Sequence, residues 1–431
     1  MAMVMAMVMA MIAKTLTSKH GRPVIRAAMP TARAARWPLG FAALVFAYWA
    51  FDYSLASNTR RANPEAAYRA RPTDPGAVAS AMTDRMVARN QFNASADDAS
   101  NARAGLRQDP LNRVLLRTLG VHEEISGRTA GAFDAMQMAH RVSRRDSITE
   151  LWLAEYHRRQ GNPVKALVHY DAAMLVRPDL QKVLFPQMVP ALASEAFRAA
   201  VRPYIVQGAS WTPSFVGTAA GADLDQVMAL IEPAVDRMAH RQFEPAFSTI
   251  LYRLMARGDT QDAMTLAQQV ITGFDVQEYQ SFGWNQTTTN PQLGSLAWSF
   301  GQSADINASL DDKSELIVSV SPLSLTPFAT RDVTVIPGLS YQLRHNIDYT
   351  QSEVRANMRW TAACADVPGA TVFWQGDVPA ARGLTRYTAT IVAPATCKLL
   401  RMTAIAIGAD SQISSEFSLS SMTFSKSAGK I

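Results

Sequence analysis

The fold is decided by Leu153-Ala-Glu-Tyr-His-Arg-Arg-Gln-Gly-Asn-Pro-Val-Lys-Ala-Leu-Val-His-Tyr-Asp-Ala-Ala173. The same register occurs thirty-four residues earlier, from Leu119 to Ala139. The positions in register are Leu119, Gly120, Gly127, Ala132, Met136 and Ala139 in the first copy, and Leu153, Ala154, Gly161, Ala166, Tyr170, Ala173 and the closing Pro178 in the second. Small residues let two helices approach closely, larger apolar residues fill the space between them, and glycine makes the turn. Proline ends the unit because it cannot continue a helix, so the period predicts stacked helical hairpins.

This pattern resembles the tetratricopeptide repeat, a helix-turn-helix unit that stacks into a solenoid. A further unit fits at 250–270 with Gly258-Asp259 as its turn, and a degenerate earlier unit ends at Pro110, whereas the proline-rich segment 181–243 departs from the pattern. The resemblance implies a helical repeat domain over 79–273 that offers a surface to a partner protein. Such a scaffold specifies neither a ligand nor a reaction.

The composition changes at Phe274, where helix formers decrease and short alternating segments begin. These segments lie at 315–320, 331–336, 341–345, 356–360, 371–374, 385–391, 398–405 and 417–424. Their spacing predicts eight or nine antiparallel strands in a sandwich over 274–431. From Phe282-Gly-Trp284 to the closing strand, the layout resembles a jelly-roll carbohydrate-binding module, which implies glycan binding. The fold class expected is therefore multidomain α plus β.

Positive charge is concentrated near the N-terminus. The whole chain carries a net charge of +6, whereas residues 1–72 alone hold ten Lys/Arg against two acids. The rest of the chain is therefore close to neutral. A nucleic-acid groove needs basic residues clustered on the folded domain, so this class of partner is not expected.

The segment 37–56 is apolar, follows a basic leader over 1–36 and ends in aromatic residues. These features predict a single-pass anchor of a bacterial inner membrane, with the N-terminus in the cytoplasm and the bulk in the periplasm. A cleaved signal peptide that yields a secreted periplasmic protein and a buried helix remain alternatives. A linker is expected over 57–78, and residues 1–28, with their Met-Ala-Met-Val run, are consistent with a misplaced start codon.

The chain has two cysteines, Cys364 and Cys397, and both lie in the predicted sandwich. Export permits a disulfide between them, and closing a loop of roughly thirty residues would stabilise the fold by about 3 kcal/mol. Two separate buried thiols are the alternative. Two cysteines without nearby histidines make only half a metal-ligand set, so no metal site is expected.

Aromatic side chains of the sandwich are candidates for glycan stacking, because the apolar face of a sugar packs on an exposed ring. Trp374 is the leading candidate, since it precedes a Gln-Gly-Asp sequence that is typical of a turn. Trp284, Trp298 and Tyr341 complete the set. Core packing is the alternative for these residues, and Trp360 is expected in the core.

Motifs for catalysis and cofactor binding are absent from the sequence, among them His-Glu-x-x-His, the phosphate-binding loop and the nucleophile elbow. The histidines of the repeat region, His122, His140, His157 and His169, are expected at surface or interhelical positions. We therefore predict a non-catalytic envelope scaffold without cofactor or metal, with a protein partner on the repeats and an envelope polysaccharide on the sandwich, in polysaccharide export or assembly. A carbohydrate-active hydrolase with unidentified carboxylates and a structural protein without a ligand are the alternatives.

Overall fold

A computed structural model describes residues 36–72, 74–88, 93–349, 354–378, 380 and 382–427. Helices form the N-terminal part of this region, and two antiparallel sheets form its C-terminal part. The chain divides into two compact units between Ala132 and Phe133. The predicted leader over 1–36 lies outside the described residues except for Arg36. This includes residues 1–28, the segment that a misplaced start codon would add.

The first helices are α1 (Arg36–Ala62), α2 (Pro64–Ala70), α3 (Pro75–Ala88), α4 (Ala96–Gln108), α5 (Arg113–Ile125) and α6 (Thr129–Val142). The segment 57–78, expected as a linker, is therefore mostly helical. Asn-Pro and Asp-Pro pairs are common in loops, but in this segment Asn63-Pro64 and Asp74-Pro75 begin helices. Asn63 and Asp74 accept hydrogen bonds from the backbone amides of Ala66 and Ala77, at 3.0 and 2.9 Å, and a proline opens each helix.

Within the described residues, no helix combines the length and apolarity needed to cross a membrane. Helix α1 covers the predicted anchor at 37–56 and is 27 residues long. Pro38 near its start and Asp52 in its second half reduce the hydropathy of this segment. The sequence predicts an anchor because 37–56 reaches the length of a typical spanning segment of about 20 residues, but the uncharged run within it, from Leu39 to Phe51, is shorter.

Nine further helices are described after α6: α7 (Ser147–Arg159), α8 (Pro163–Val176), α9 (Gln181–Met188), α10 (Glu195–Gln207), α11 (Thr212–Ala222), α12 (Leu224–Ile231), α13 (Glu244–Arg257), α14 (Thr260–Val270) and α15 (Val276–Gln280). Short 3-10 helices lie at Pro178–Leu180, Pro190–Ala193, Val235–Arg237, His240–Phe243 and Pro291–Leu296. The helices extend past 273, the predicted end of the repeat region. Neighbouring helices such as α7 and α8 pack as pairs.

Most residues of the thirty-four-residue register lie in these helices, and Gly127 and Gly161 lie in the turns that connect them. Gly127 and Gly161 adopt positive φ angles of 76° and 67° in the turns after α5 and α7, a conformation that glycine adopts without steric cost. The buried positions are Gly120, Ala132, Met136, Ala139, Leu153, Ala154, Ala166, Tyr170 and Ala173, whereas Leu119 is half-buried and Pro178 is exposed. The described helices are thus paired, with small residues where they approach.

Ten strands are described: β1 (Ser299–Phe300), β2 (Ile306–Leu310), β3 (Leu316–Val320), β4 (Leu325–Thr334), β5 (Ser340–Asp348), β6 (Asn357–Cys364), β7 (Val372–Val378), β8 (Leu384–Val392), β9 (Leu399–Ile407) and β10 (Ser415–Lys426). They form two antiparallel five-stranded sheets, with the orders β1-β4-β9-β6-β7 and β2-β3-β10-β5-β8. Alternating residues of both sheets, among them Phe328, Leu343, Trp360 and Phe417, form one fully buried core between the sheets.

The predicted disulfide is present in the sandwich. Cys364 at the end of β6 is bonded to Cys397, which precedes β9, and their Cα atoms are 5.5 Å apart. Strands β6 and β9 are neighbours in the first sheet, where Cys364 faces Leu400. The bond therefore joins two strands that also pair through their backbones.

Within the second unit, the last helices pack directly on the sandwich. Leu399 of β9 belongs to the same buried cluster as the apolar residues of α13 and α14. The Tyr252 hydroxyl of α13 donates a hydrogen bond to the carbonyl of Ala365 at 2.7 Å, and the Lys398 ammonium donates to the carbonyl of Arg257 at 2.7 Å. Apolar and polar contacts thus hold the two parts together.

A buried arginine strengthens this junction. The Arg331 guanidinium of β4 donates hydrogen bonds to the carbonyls of Tyr279 and Leu296, both at 2.9 Å, and to that of Ser281 at 3.2 Å. Burial lowers the pKa of Arg331, and three of its five N–H groups donate to these carbonyls. This side chain therefore connects the segment after α14 with the first sheet.

Candidate functional site

Three of the four predicted stacking residues are buried. The rings of Trp284 and Trp298 meet edge to face with their centroids 4.5 Å apart, and each is less than a tenth exposed. Tyr341 stacks on Phe424 with centroids 5.0 Å apart, and its hydroxyl accepts a hydrogen bond from the Ile336 amide at 2.7 Å. Burial leaves too little of these rings exposed for a sugar to stack on them. The neighbouring residues in the sequence do not indicate that these three side chains are buried.

Trp374 differs from them because it is half-buried. It lies on β7, the edge strand of the first sheet, next to β8, the edge strand of the second sheet. Tyr387 of β8 is also half-buried, and strand alternation turns both side chains toward the gap between the sheets. We call Trp374, Gly376 and Tyr387 the open edge of the sandwich.

Gly376 leaves room for the two aromatic side chains of the open edge, which both lie against it. A Cβ atom at this position would lie within 2.8 Å of the Trp374 ring and closer still to the Tyr387 hydroxyl. The sequence Gln-Gly-Asp after Trp374 was expected to turn, but it continues β7. Glycine inside a strand often marks such a close approach, and that signal was available in the sequence. Nothing local in the sequence identified Tyr387.

Hydrogen-bonding groups lie on both faces of β7, and the Tyr387 hydroxyl is the one at the open edge. Burial, with a smaller contribution from the Asp377 carboxylate, raises the pKa of Tyr387, so its hydroxyl is protonated at neutral pH. Asp377 accepts a hydrogen bond from the Arg359 guanidinium at 2.6 Å on the opposite face of β7. Gln375 and Phe373 share that opposite face and are exposed. On its own face the open edge thus offers an aromatic surface beside the Tyr387 hydroxyl, and sugar binding uses such a combination.

Behind the open edge lies a buried histidine. His345 Nε2 accepts a hydrogen bond from the indole N–H of Trp360 at 3.0 Å, and its ring lies 5.1 Å from that of Tyr387. Burial lowers the pKa of His345 to about 4. The imidazole is therefore neutral at pH 7, and it supports Tyr387 and Trp360 rather than acting as a charged group.

A cleft that could also bind a ligand lies where the last helices meet the sandwich. Arg331 lines it, but its donors already bind backbone carbonyls. The cleft is also lined by Thr260, Met264, Tyr279, Phe282, Tyr341 and Phe424. Lys426 is the other charged residue of the lining. Because the Arg331 guanidinium is buried and held by three backbone carbonyls, the cleft is a weaker candidate than the open edge.

Three acidic side chains of the sandwich that a hydrolase could use already have local partners. The Asp366 carboxylate accepts a hydrogen bond from the Lys398 amide at 2.9 Å, and Asp377 is paired with Arg359. Asp311 accepts from the amides of Lys313 and Glu315 at 2.9 and 2.8 Å in the turn after β2. Asp312 and Glu315 lie in this same turn. These bonds stabilise turns and strand edges.

Comparisons with known proteins concern part of the chain. No protein family and no curated protein matches the sequence. Among solved structures, a family 4 carbohydrate-binding module matches with 10% identity and a TM-score of 0.26, over 33% of this chain and 99% of its own. A family 22 module of Clostridium thermocellum matches with 11% identity and a TM-score of 0.24, over 37% and 99%. A family 61 module in complex with β-1,4-galactotriose matches with 10% identity and a TM-score of 0.21, over 33% and 98%. We draw no functional argument from similarities this weak.

Proposed function

We propose that this protein is a non-catalytic glycan-binding scaffold, and that a sugar ring stacks on Trp374 at the open edge of the sandwich. The observation that carries the proposal is that Trp374 and Tyr387, both half-exposed, lie close to Gly376 on two edge strands. The indole offers an apolar face, and the protonated Tyr387 hydroxyl offers a donor to a sugar oxygen. An envelope polysaccharide is the ligand class that we favour, in polysaccharide export or assembly.

The test is binding of the whole chain to an array of bacterial glycans, with the variants Trp374→Ala and Phe373→Ala. Phe373 is the matched control, because it is an exposed aromatic residue on the other face of the same strand. We expect binding that Trp374→Ala abolishes and Phe373→Ala retains. Absence of binding by the folded wild type, or equal loss in both variants, would refute stacking at the open edge.

We also propose that the helical region binds a protein partner, as a solenoid of the tetratricopeptide type would. An apolar stripe on α8 supports this proposal. Val164, Val168 and Leu175 are each more than half exposed and lie on one helix face, and Val183 of α9 is also exposed. Cross-linking of the whole protein in its cells should capture a partner that Val168→Arg fails to capture. Identical cross-links in both proteins would refute the role of this stripe.

Membrane attachment through α1 is a further proposal. Its side chains from Phe41 to Phe51 include seven large apolar residues that are 48 to 75% exposed. Arg60 and Arg61 lie in its last turn, and Arg36 begins it. We propose an inner-membrane location with the bulk of the chain in the periplasm. Recovery of the protein from cells in the soluble fraction alone would refute it.

A structural role without a ligand is the second candidate. It is favoured by the burial of Trp284 and Trp298 and by the packing of α13 against the sandwich. In this case Trp374 only covers the edge of the core. The same glycan array separates the two candidates, because the structural account predicts that the folded wild type binds none of the glycans.

A further inference from the structure

Three side chains from successive helices converge inside the helical part of the second unit. The Nδ1 atom of His140 on α6 lies 2.6 Å from one carboxylate oxygen of Glu150 on α7, and Nδ1 of His169 on α8 lies 2.7 Å from the other. Glu150 is fully buried, His169 is nearly so, and the His140 side chain is 24% exposed. The three ligand-type atoms lie within 4.8 Å of one another.

A fully buried carboxylate is costly unless positive charge compensates it. Both oxygens of Glu150 point at imidazole nitrogens, and neither His140 nor His169 carries a permanent charge. Two solutions fit this arrangement. Either the histidines share protons with the carboxylate, or a cation binds where the three groups meet.

The ligand set favours a cation of a particular class. Two imidazole nitrogens and one carboxylate oxygen suit zinc and similar divalent transition metals, whereas Ca²⁺ and Mg²⁺ prefer oxygen ligands. Ligand bonds of about 2.0 to 2.2 Å in a tetrahedral site place neighbouring ligand atoms about 3.3 Å apart. The two imidazoles are bonded to different oxygens of Glu150, at 2.6 and 2.7 Å, so the ring on the oxygen that binds the ion would move outward by about 0.6 Å. The three ligand atoms already lie within 4.8 Å of one another, so the remaining separations need only small adjustments.

The surroundings permit this small movement. His140 is partly exposed, so its ring has room to shift and water can reach the fourth position of the ion. His169 is oriented by His157, whose ring lies parallel to it with centroids 5.5 Å apart. The rings of His140 and His169 meet nearly at right angles, with centroids 5.1 Å apart. The site is thus held on its buried side and open on the other.

We propose that His140, Glu150 and His169 bind one Zn²⁺-class divalent ion, with water as the fourth ligand. The ion replaces shared protons as the charge partner of Glu150 and ties α6, α7 and α8 together. The sequence predicts surface or interhelical positions for these histidines and no metal ion. The proposal agrees with the first prediction and differs from the second. The site is independent of glycan binding by the sandwich.

The test uses the whole chain, purified without a histidine tag, stripped of metal and then titrated with ZnCl₂ by calorimetry. We expect one equivalent of Zn²⁺ per chain and a higher thermal midpoint after binding. Glu150→Gln, which keeps the size of the side chain, and His140→Ala, at a partly exposed position, should each weaken binding at least tenfold. His240→Gln is the control. Within the described residues, the hydrogen bond of the His240 side chain is to the backbone carbonyl of Val235.

Cobalt provides a second readout. Co²⁺ bound by two imidazoles, a carboxylate and water should give the visible absorption of a tetrahedral ion, and this absorption should be lost in Glu150→Gln. Circular dichroism establishes that each variant is folded. If the folded wild type takes up no Zn²⁺, or if Glu150→Gln binds it as tightly as the wild type does, the proposal is overturned and proton sharing explains the cluster.

Discussion

Acidification should destabilise the sandwich through His345. This residue is 1% exposed, and its Nε2 accepts the Trp360 hydrogen bond, so protonation of this nitrogen would remove the acceptor and bury a charge. Burial lowers the pKa of His345 from 6.5 to about 4 in the folded protein. As the pH falls below 6.5, the unfolded chain therefore takes up a proton before the folded chain does.

The sign and size of the effect follow from this difference. The stabilisation is fully present above pH 6.5 and is lost progressively as the pH falls toward 4. At pH 5 the loss is about 2 kcal/mol, and below pH 4 it reaches about 3 kcal/mol, because one pKa unit corresponds to about 1.4 kcal/mol. A loss of this size is a substantial part of the stability of an ordinary domain.

The assay is urea denaturation of the wild type and of His345→Gln at pH 7 and pH 5. Glutamine has an amide oxygen that can accept the Trp360 hydrogen bond, but it does not titrate. We expect the free energy of unfolding of the wild type to fall by about 2 kcal/mol more than that of the variant between these pH values. An NMR titration that shows His345 protonated near pH 6.5, or equal pH dependence in both proteins, would refute the reasoning.

Three other substitutions test the sandwich. Replacing Cys364 and Cys397 by serine should lower the free energy of unfolding by about 3 to 4 kcal/mol, and unchanged urea denaturation after reduction would contradict this. Arg401→Ala leaves the fully buried Asp332 carboxylate without its guanidinium partner, and should cost about 3 kcal/mol in the same assay. Arg401→Lys should recover part of this loss, and a neutral effect of Arg401→Ala would contradict the account. Gly376→Ala should separate the two aromatic side chains of the open edge and reduce glycan affinity severalfold, with the overall fold retained by circular dichroism. Unchanged affinity in this variant would show that their close approach is not needed.

The alternation of apolar and polar residues located eight of the ten described strands, from β3 to β10. It missed β1, which has only two residues, and β2, where Asn307 and Ser309 alternate with apolar residues over a short segment after a loop. Which aromatic residues are exposed could not be predicted in the same way. The residues that flank Trp284 and Trp374 in the sequence are similar in polarity. Only the packing of the two sheets determines that Trp284 is buried in the core and that Trp374 lies at an edge.

The helices show the same limit. Periodicity and the glycines at 127 and 161 predicted the turns where helices meet, but the caps at Asn63 and Asp74 made helices of a segment that its composition had assigned to a linker. The cluster around Glu150 was not predictable, since its members are 10 and 19 residues away from it in sequence and match no metal-binding motif. It exists only because three helices pack side by side.

The most direct measurement is hydroxyl-radical footprinting of the whole chain, with and without the oligosaccharide that binds most tightly on the array. Mass spectrometry then reports the oxidation of each aromatic side chain. If a sugar stacks at the open edge, saturation with the ligand should protect Trp374 and Tyr387 and leave Phe373, on the opposite face of β7, oxidised as before. Equal oxidation of Trp374 with and without bound ligand would contradict the account.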